Sequence, residues 1–206
     1  AVRRAATALG STVSRHAGRG NWHQLVIGGN GDRWHPVGVG AWLKQLGIFG
    51  QRSHEKRLPP QVFQLPDSQV ALLLQHLWAT DGSIHVRPAG QKGAPRVYFS
   101  TSSQGLAGDV AALLLRLGIV ARLRSVAQGR HRPVHTVDVS GGRQQLRFLD
   151  VVGGFGPRAE PAEALRSRLA THGENTNVDT LPLEVFGEVK ALMRSQGISQ
   201  RQMAQS

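Results

Sequence analysis

The chain has 206 residues, 40% of them apolar and 5% aromatic, with no cysteine. That allows one large or two small domains with aliphatic cores and excludes disulfides and thiolate zinc sites. Lys plus Arg number 25 against 13 Asp plus Glu, a formal +12, and such an excess draws a folded protein to polyanions by phosphate contacts and counterion release. The longest apolar runs are too short for a membrane span and no secretory leader pattern opens the chain, so a cytoplasmic protein with no membrane partner is expected.

In chain order, residues 2–10 (VRRAATALG) read as a helix ended by Gly10. Residues 22–29 (WHQLVIGG) alternate as a strand does before Gly-Gly, and 41–50 (AWLKQLGIFG) read as a short helix ending at glycine. GNGDRW at 29–34 lacks the GK[ST] step of a Walker loop, so no ATP hydrolysis is expected. The three blocks then recur as 110–118 (VAALLLRLG), 135–142 (HTVDVSGG) and 146–156 (LRFLDVVGGFG). Val2, Leu9 and Gly10 fall on Val110, Leu117 and Gly118; Trp42, Leu43, Gly47, Phe49 and Gly50 fall on Phe148, Leu149, Gly153, Phe155 and Gly156. An ordered repeat of this kind predicts an α/β protein of two lobes related by an approximate twofold. The second copy is preceded by a helix over about 67–79, then Asp81-Gly82, then strands near 83–87 and 96–101, while nothing precedes the first. About forty residues are therefore expected to be absent from the amino end. The implied divisions are an incomplete first lobe at 1–50, a basic linker at 51–66, a second lobe at 67–156, a helix and polar linker at 157–180 and a helical segment at 181–206.

The helix in DSQVALLLQHLWATDGS follows Pro66 and offers Asp67 or Ser68 as its cap. Val70, Leu73, Leu74, Leu77 and Trp78 make its apolar face, and Asp81 closes it. A carboxylate at a helix C-terminus is disfavoured by the helix dipole, which leaves two readings. Asp81 holds a hard cation, Mg²⁺ or Mn²⁺, with the Gly82 carbonyl as a further donor; or Asp81 is an ordinary Asp-Gly turn former.

LQHLWATDG at 74–82 resembles the signature helix of the LAGLIDADG homing endonucleases, with Leu74, Leu77, Asp81 and Gly82 at the leucine, second leucine, acid and final glycine. GQRSHEKRLPPQVF at 50–63, the Ser-Thr opening of 100–119, and NVDTLP at 177–182 resemble blocks of the endonuclease-containing inteins of bacterial replicative helicases. The resemblance implies pseudo-twofold lobes, each a curved antiparallel sheet backed by helices, with the first lobe incomplete here. It implies two signature helices packed together, an acid at the foot of each, and divalent cations that cut both strands of double-stranded DNA lying across the sheets. On this basis Asp81 is a catalytic and metal-binding acid and Lys56, ahead of the Leu-Pro step, stands near the scissile phosphate. The second acid is expected on a missing amino-terminal intein segment or a companion fragment. The family's helix interface favours small residues, and Gln75 and His76 are bulky. The expected activity is metal-dependent hydrolysis of DNA phosphodiesters; the alternatives are a catalytically inactive DNA-binding remnant or structural intein insert, and a helix-turn-helix regulator.

The cations supply the remaining candidates. Arg52 and Arg57 flank Lys56; Arg87, Lys92 and Arg96 frame a Gly/Pro loop; Tyr98 and Ser100 alternate with Val97 and Phe99; and Arg122, Arg124, Arg130 and Arg132 surround a GRHRP turn. Arginine forks suit phosphate and guanine contacts, so all of these are expected to bind DNA. The nine histidines form no metal box. Residues 181–206 outline helix, turn, helix with Ser199 as a cap, and without an opening nucleophile or closing His-Asn the chain is not expected to splice by itself.

Overall fold

The computed structural model describes residues 2–18, 23–87, 93–171, 183–199 and 202. Residues 1–172 form one compact unit and 173–206 another. The first copy of the repeat folds as α1 (Val2–Ala8), β1 (Thr12–Ala17), β2 (His23–Gly28) and α2 (Gly38–Gln45). Its strands pair antiparallel from Thr12↔Gly28 to Ala17↔His23 as a two-stranded sheet. Among the described residues of 2–50, only Ala6, Ser11 and Gly40 are buried.

The second copy comes with a full set of partners: α3 (Asp67–Thr80), β3 (Gly82–His85), β4 (Arg96–Thr101), α4 (Gln104–Arg116), β5 (Arg122–Gln128), β6 (His131–Val139), α5 (Gly142–Val151) and α6 (Ala159–Thr171). Its strands form one antiparallel sheet in the order β3-β4-β6-β5. Strand alternation puts Ile84, Val97, Phe99, Val137 and Val139 on one face. That face is buried with Val70, Leu74 and Trp78 of α3, Val110, Leu113 and Leu114 of α4, Phe148 and Leu149 of α5, and Leu165 of α6. The protein is thus α/β, with two small antiparallel sheets backed by helices. Matched repeat positions differ sharply: Phe148 is fully buried and Trp42 is 45% exposed. Among the described residues, the first copy has no counterpart of α3, β3 and β4 to cover it.

Helix ends follow the local chemistry, with one correction. The side chains of Asp67 and Ser68 do not cap α3: Pro66 occupies the cap position and makes no side-chain bond there. Asp67 instead pairs with Arg116 at 2.8 Å. The same guanidinium donates to the Phe63 and Leu65 carbonyls, tying the 3-10 turn Pro60–Gln64 to the start of α3. On α4 the cap is Ser103, whose Oγ accepts from the Leu106 N–H at 3.1 Å.

Below α3 the chain turns directly into the sheet. A Cβ on Gly82 would lie 2.5 Å from the Trp78 backbone and ring, so only glycine lets the helix foot sit this close to β3. In the second unit α7 (Leu183–Ser195) is followed by Ser199, whose Oγ accepts from the Gln202 N–H. NVDTLP at 177–182, and any second helix of a helix-turn-helix beyond Gln202, lie outside the described residues. No helix among the described residues is long and apolar enough to cross a membrane.

Gly82→Ala is expected to destabilise the protein by about 1–3 kcal/mol through overpacking against Trp78. Urea unfolding followed by circular dichroism checks it, and an unchanged midpoint would mean that the close helix-to-strand approach is not constraining.

Candidate nucleic-acid interface

If one face of the four-stranded sheet is apolar and covered by helices, the other carries the alternate residues. The register aligns them in rows: Ser83, Tyr98, Asp138 and Arg122 run across all four strands, with Ser100, Thr136 and Arg124 beside them. Arg96 lies opposite His85 at one edge of the face. Arg132 lies in β6 and Arg130 in the turn between β5 and β6, at the end of the hairpin where the register shifts. Arg96, Arg122, Arg124, Arg130 and Arg132 are all exposed, while Tyr98 and Ser100 are half-buried. Strand alternation therefore sets Arg96, Tyr98, Ser100, Arg122 and Arg124 on the side away from the core, with Arg130 and Arg132 exposed at the end of the β5–β6 hairpin.

An acid organises part of this face. The Asp138 carboxylate lies 3.5 Å from an Arg96 Nη and is nearly buried, and the Arg96 guanidinium stands 4.6 Å from the Tyr98 ring centroid. Ionic contact and cation–π contact act on the same guanidinium, which restricts its orientation. Ser100 and Thr136 hydroxyls approach to 3.4 Å across the strands.

The basic linker is fastened to α4. Arg57 forms a two-pronged pair with buried Asp109, Nε–Oδ2 2.8 Å and Nη2–Oδ1 2.7 Å, and the Leu58 N–H donates to the same carboxylate at 2.9 Å. Burial pushes the Asp109 carboxyl up, but the Arg57 bond, the Leu58 N–H and the Arg57 charge outweigh it and hold the group below its ordinary range. Arg57 also lies against Gly105, where any Cβ would strike its side chain. Its fork is thus committed to the fold rather than presented freely to a phosphate. The next residue back, Lys56, accepts a 2.6 Å bond from the Ser103 hydroxyl at its carbonyl and keeps an exposed side chain. Arg52 is likewise exposed, and its N–H, ahead of the charges of His54, Arg52 and Arg132, holds Glu55 below the usual carboxylate range.

Asp81 closes α3 with its N–H on the Leu77 carbonyl at 3.0 Å, and its own carbonyl lies 3.5 Å from the Ser100 N–H. Its exposed carboxylate makes no hydrogen bond or ion pair among the described residues. Gly82 is paired within the sheet opposite Phe99. Among the described residues there is no group of three or more His, Cys, Asp or Glu able to hold a metal ion. A divalent cation held by carboxylates and phosphates would find one carboxylate here, so the residues present do not by themselves make the site. Arg87 follows β3 and its carbonyl accepts from Arg168 at 2.6 Å; Lys92 lies outside the described residues.

Sequence reasoning misses Asp138, Thr136 and Ser83 on this face, although the alternation of HTVDV already sets Thr136 and Asp138 on the polar side of β6. Asp109 and Ser103 carry no such signal: their partners lie about fifty residues away in the chain.

A helix that ends in Asp-Gly and packs on a four-stranded antiparallel sheet defines a class. Residues 68–153 match the LAGLIDADG-like domain, and the chain carries a domain of that family. The chain is 45% identical over 168 residues to the replicative DNA helicase DnaB of Rhodothermus marinus, covering 80% of this chain and 18% of that protein. It is 36% identical over 169 residues to DnaB of Synechocystis sp., covering 80% and 19%, and 29% identical over 184 residues to protein RecA of Mycobacterium bovis, covering 81% and 23%. The chain spans about a fifth of the length of these curated relatives.

Asp109→Ala is expected to cost about 3 kcal/mol, since it strands Arg57 and the Leu58 N–H. Because the folded Asp109 carboxyl is depressed, its contribution is complete above its ordinary value of 3.8 and is lost as pH falls through the lower folded value. Chemical denaturation across acid pH should show the variant less stable at neutrality and less sensitive to pH below about 4; equal acid limbs would show that the pair does not stabilise the fold.

Proposed function

We propose that this chain is a double-stranded-DNA-binding LAGLIDADG domain from an intein-type insertion in a replicative helicase precursor, holding one acid of a catalytic pair and inactive as a nuclease alone. The observation that carries the binding is the exposed sheet face with Arg96, Tyr98, Ser100, Arg122 and Arg124 on the side opposite the helices. Strands are narrow enough to enter the major groove, where Arg forks read guanine and phosphates set the register. Arg52 and Lys56 extend the positive surface on the linker. The insertion reading is supported by portability: the same sequence pattern occupies about a fifth of two replicative DNA helicases and of protein RecA.

The test is fluorescence anisotropy on a labelled duplex over a salt series. The wild-type protein should bind with a steep negative salt slope, and Arg122→Ala/Arg124→Ala should flatten that slope by about 0.9 for each phosphate no longer neutralised, while circular dichroism stays unchanged. Unchanged affinity and slope in the double variant would remove the sheet face from the proposal.

Hydrolysis by a completed pair is the second reading, favoured by the outward side of α3. Leu72 is 54% exposed on it. Gln75 is turned into its own lobe, donating to the Val152 carbonyl at 2.8 Å, and His76 meets Phe155 edge-on at 4.8 Å. Bulky Gln75 therefore does not obstruct a second helix on that side. Such a helix, from a further intein segment or a companion polypeptide, would bring the second acid beside Asp81. A divalent cation would then supply an activated water and charge neutralisation at the phosphate. In that assembly Lys56 would steady the developing charge and Asp81 would hold the cation. With the companion present, Mg²⁺- or Mn²⁺-dependent cutting of an uninterrupted helicase gene, abolished by Asp81→Ala, is expected; cutting that survives Asp81→Ala would end this reading.

A further inference from the structure

Nine residues, 29–37, join β2 to α2, whereas two residues join the equivalent strand and helix of the second copy, β6 and α5. The additional loop is heavily built. The Asp32 carboxylate accepts from the Trp34 and His35 N–H groups, both at 2.7 Å. Gly31 pairs with Pro36, and the Val37 N–H donates to the Asn30 carbonyl at 2.8 Å. The Asn30 side chain donates to the Ile27 carbonyl at 2.6 Å and accepts from Ser11 Oγ at 2.8 Å. Any Cβ on Gly31, which has a φ of 71°, would strike the His35 carbonyl.

All this order presents an indole to solvent. Trp34 is 77% exposed, the Arg33 guanidinium lies 5.7 Å from its ring centroid, and an open groove of about 490 Å³ beside it is lined by Trp34, His35, Pro36, Ala41, Lys44 and Gln45. The repeat does not account for it, because the loop has no counterpart in the second copy. The uncovered core positions such as Trp42 are a separate matter.

We infer that this loop is a second nucleic-acid site, in which Trp34 stacks on an unpaired base while Arg33 and Lys44 meet the flanking phosphates. An open indole needs a base with a free face, and bases inside a duplex have theirs covered by neighbours. The cations favour a polyanion: Lys44 lines the groove and Arg33 stands beside the ring, while the nearby Asp32 carboxylate is held through one oxygen by the Trp34 and His35 N–H groups. The site goes beyond the duplex contact of the sheet face and does not depend on it.

The full chain is titrated into a labelled oligothymidylate of about 12 nucleotides and into a blunt duplex of equal length, with Trp34→Ala and Trp34→Phe as variants. Wild-type protein should bind the single strand with quenching of tryptophan emission. Trp34→Ala should weaken that binding about tenfold, Trp34→Phe should recover most of it, and duplex affinity should move by less than about twofold. Arg122→Ala/Arg124→Ala should do the reverse, which separates failure of this site from failure of the sheet-face proposal. Single-strand affinity unchanged in Trp34→Ala, or weakened equally for both nucleic acids, would overturn the inference, as would the absence of single-strand binding by the wild-type protein. Unaltered thermal melting of Trp34→Ala is expected from the exposure of the side chain.

Discussion

Trp78 lies 4.8 Å from Phe148 and 5.7 Å from Phe99, ring centre to ring centre, with no exposed surface. It joins α3 to α5 and to β4, and Gly82, one step past the helix end, turns the chain into β3 directly beneath it. The indole N–H finds no hydrogen-bond partner among the described residues, a cost of about 1–3 kcal/mol. Burying an aromatic of about 150–250 Å² at about 25 cal/mol/Å² contributes about 4–6 kcal/mol, so apolar packing wins. Once the helices are held on this side of the sheet by Trp78 and its neighbours, strand alternation leaves the arginines on the other.

Positive charge in this protein is partly structural. Arg57 is held by Asp109, Arg116 by Asp67 and two carbonyls, and Arg166 by Asp150. Arg147 donates twice to the Leu117 carbonyl. Those forks lock linker, turn and helices together, and Arg57 cannot be reassigned to phosphate without leaving the buried Asp109 carboxylate unpaired. The cations of β5 and the β5–β6 hairpin differ in kind: they stand on an exposed edge strand, and Arg122 and Arg124 have no ion pair among the described residues. Net charge therefore overstates the binding surface, and position on the sheet decides which cations belong to it.

The two copies of the repeat share a pattern and not an environment. Val110, Leu117 and Phe148 are buried, whereas Val2, Leu9 and Trp42 are 41–46% exposed. Apolar side chains at such positions normally stabilise a lobe only when a further helix and strands cover them. The α3-β3-β4 unit supplies that cover in the second copy, and the same unit carries Asp81. This asymmetry accounts for the difference in burial between the two copies.

Much was determined by the sequence itself. Periodicity and glycine punctuation specify α3, the ordered helix, strand and helix blocks of both copies, and the alternation of Tyr98 and Ser100 with Val97 and Phe99, because helix and strand periods are local properties of the chain. The Asp-Gly at 81–82 marks the helix foot for the same reason. Only the tertiary structure decided that Asp67 pairs with Arg116 instead of capping α3, that Arg57 is committed to Asp109, and that Gln75 turns inward to the Val152 carbonyl. Each choice depends on a partner about fifty or more residues distant, and chain connectivity leaves no local trace of which donor will meet which acceptor when the helices pack.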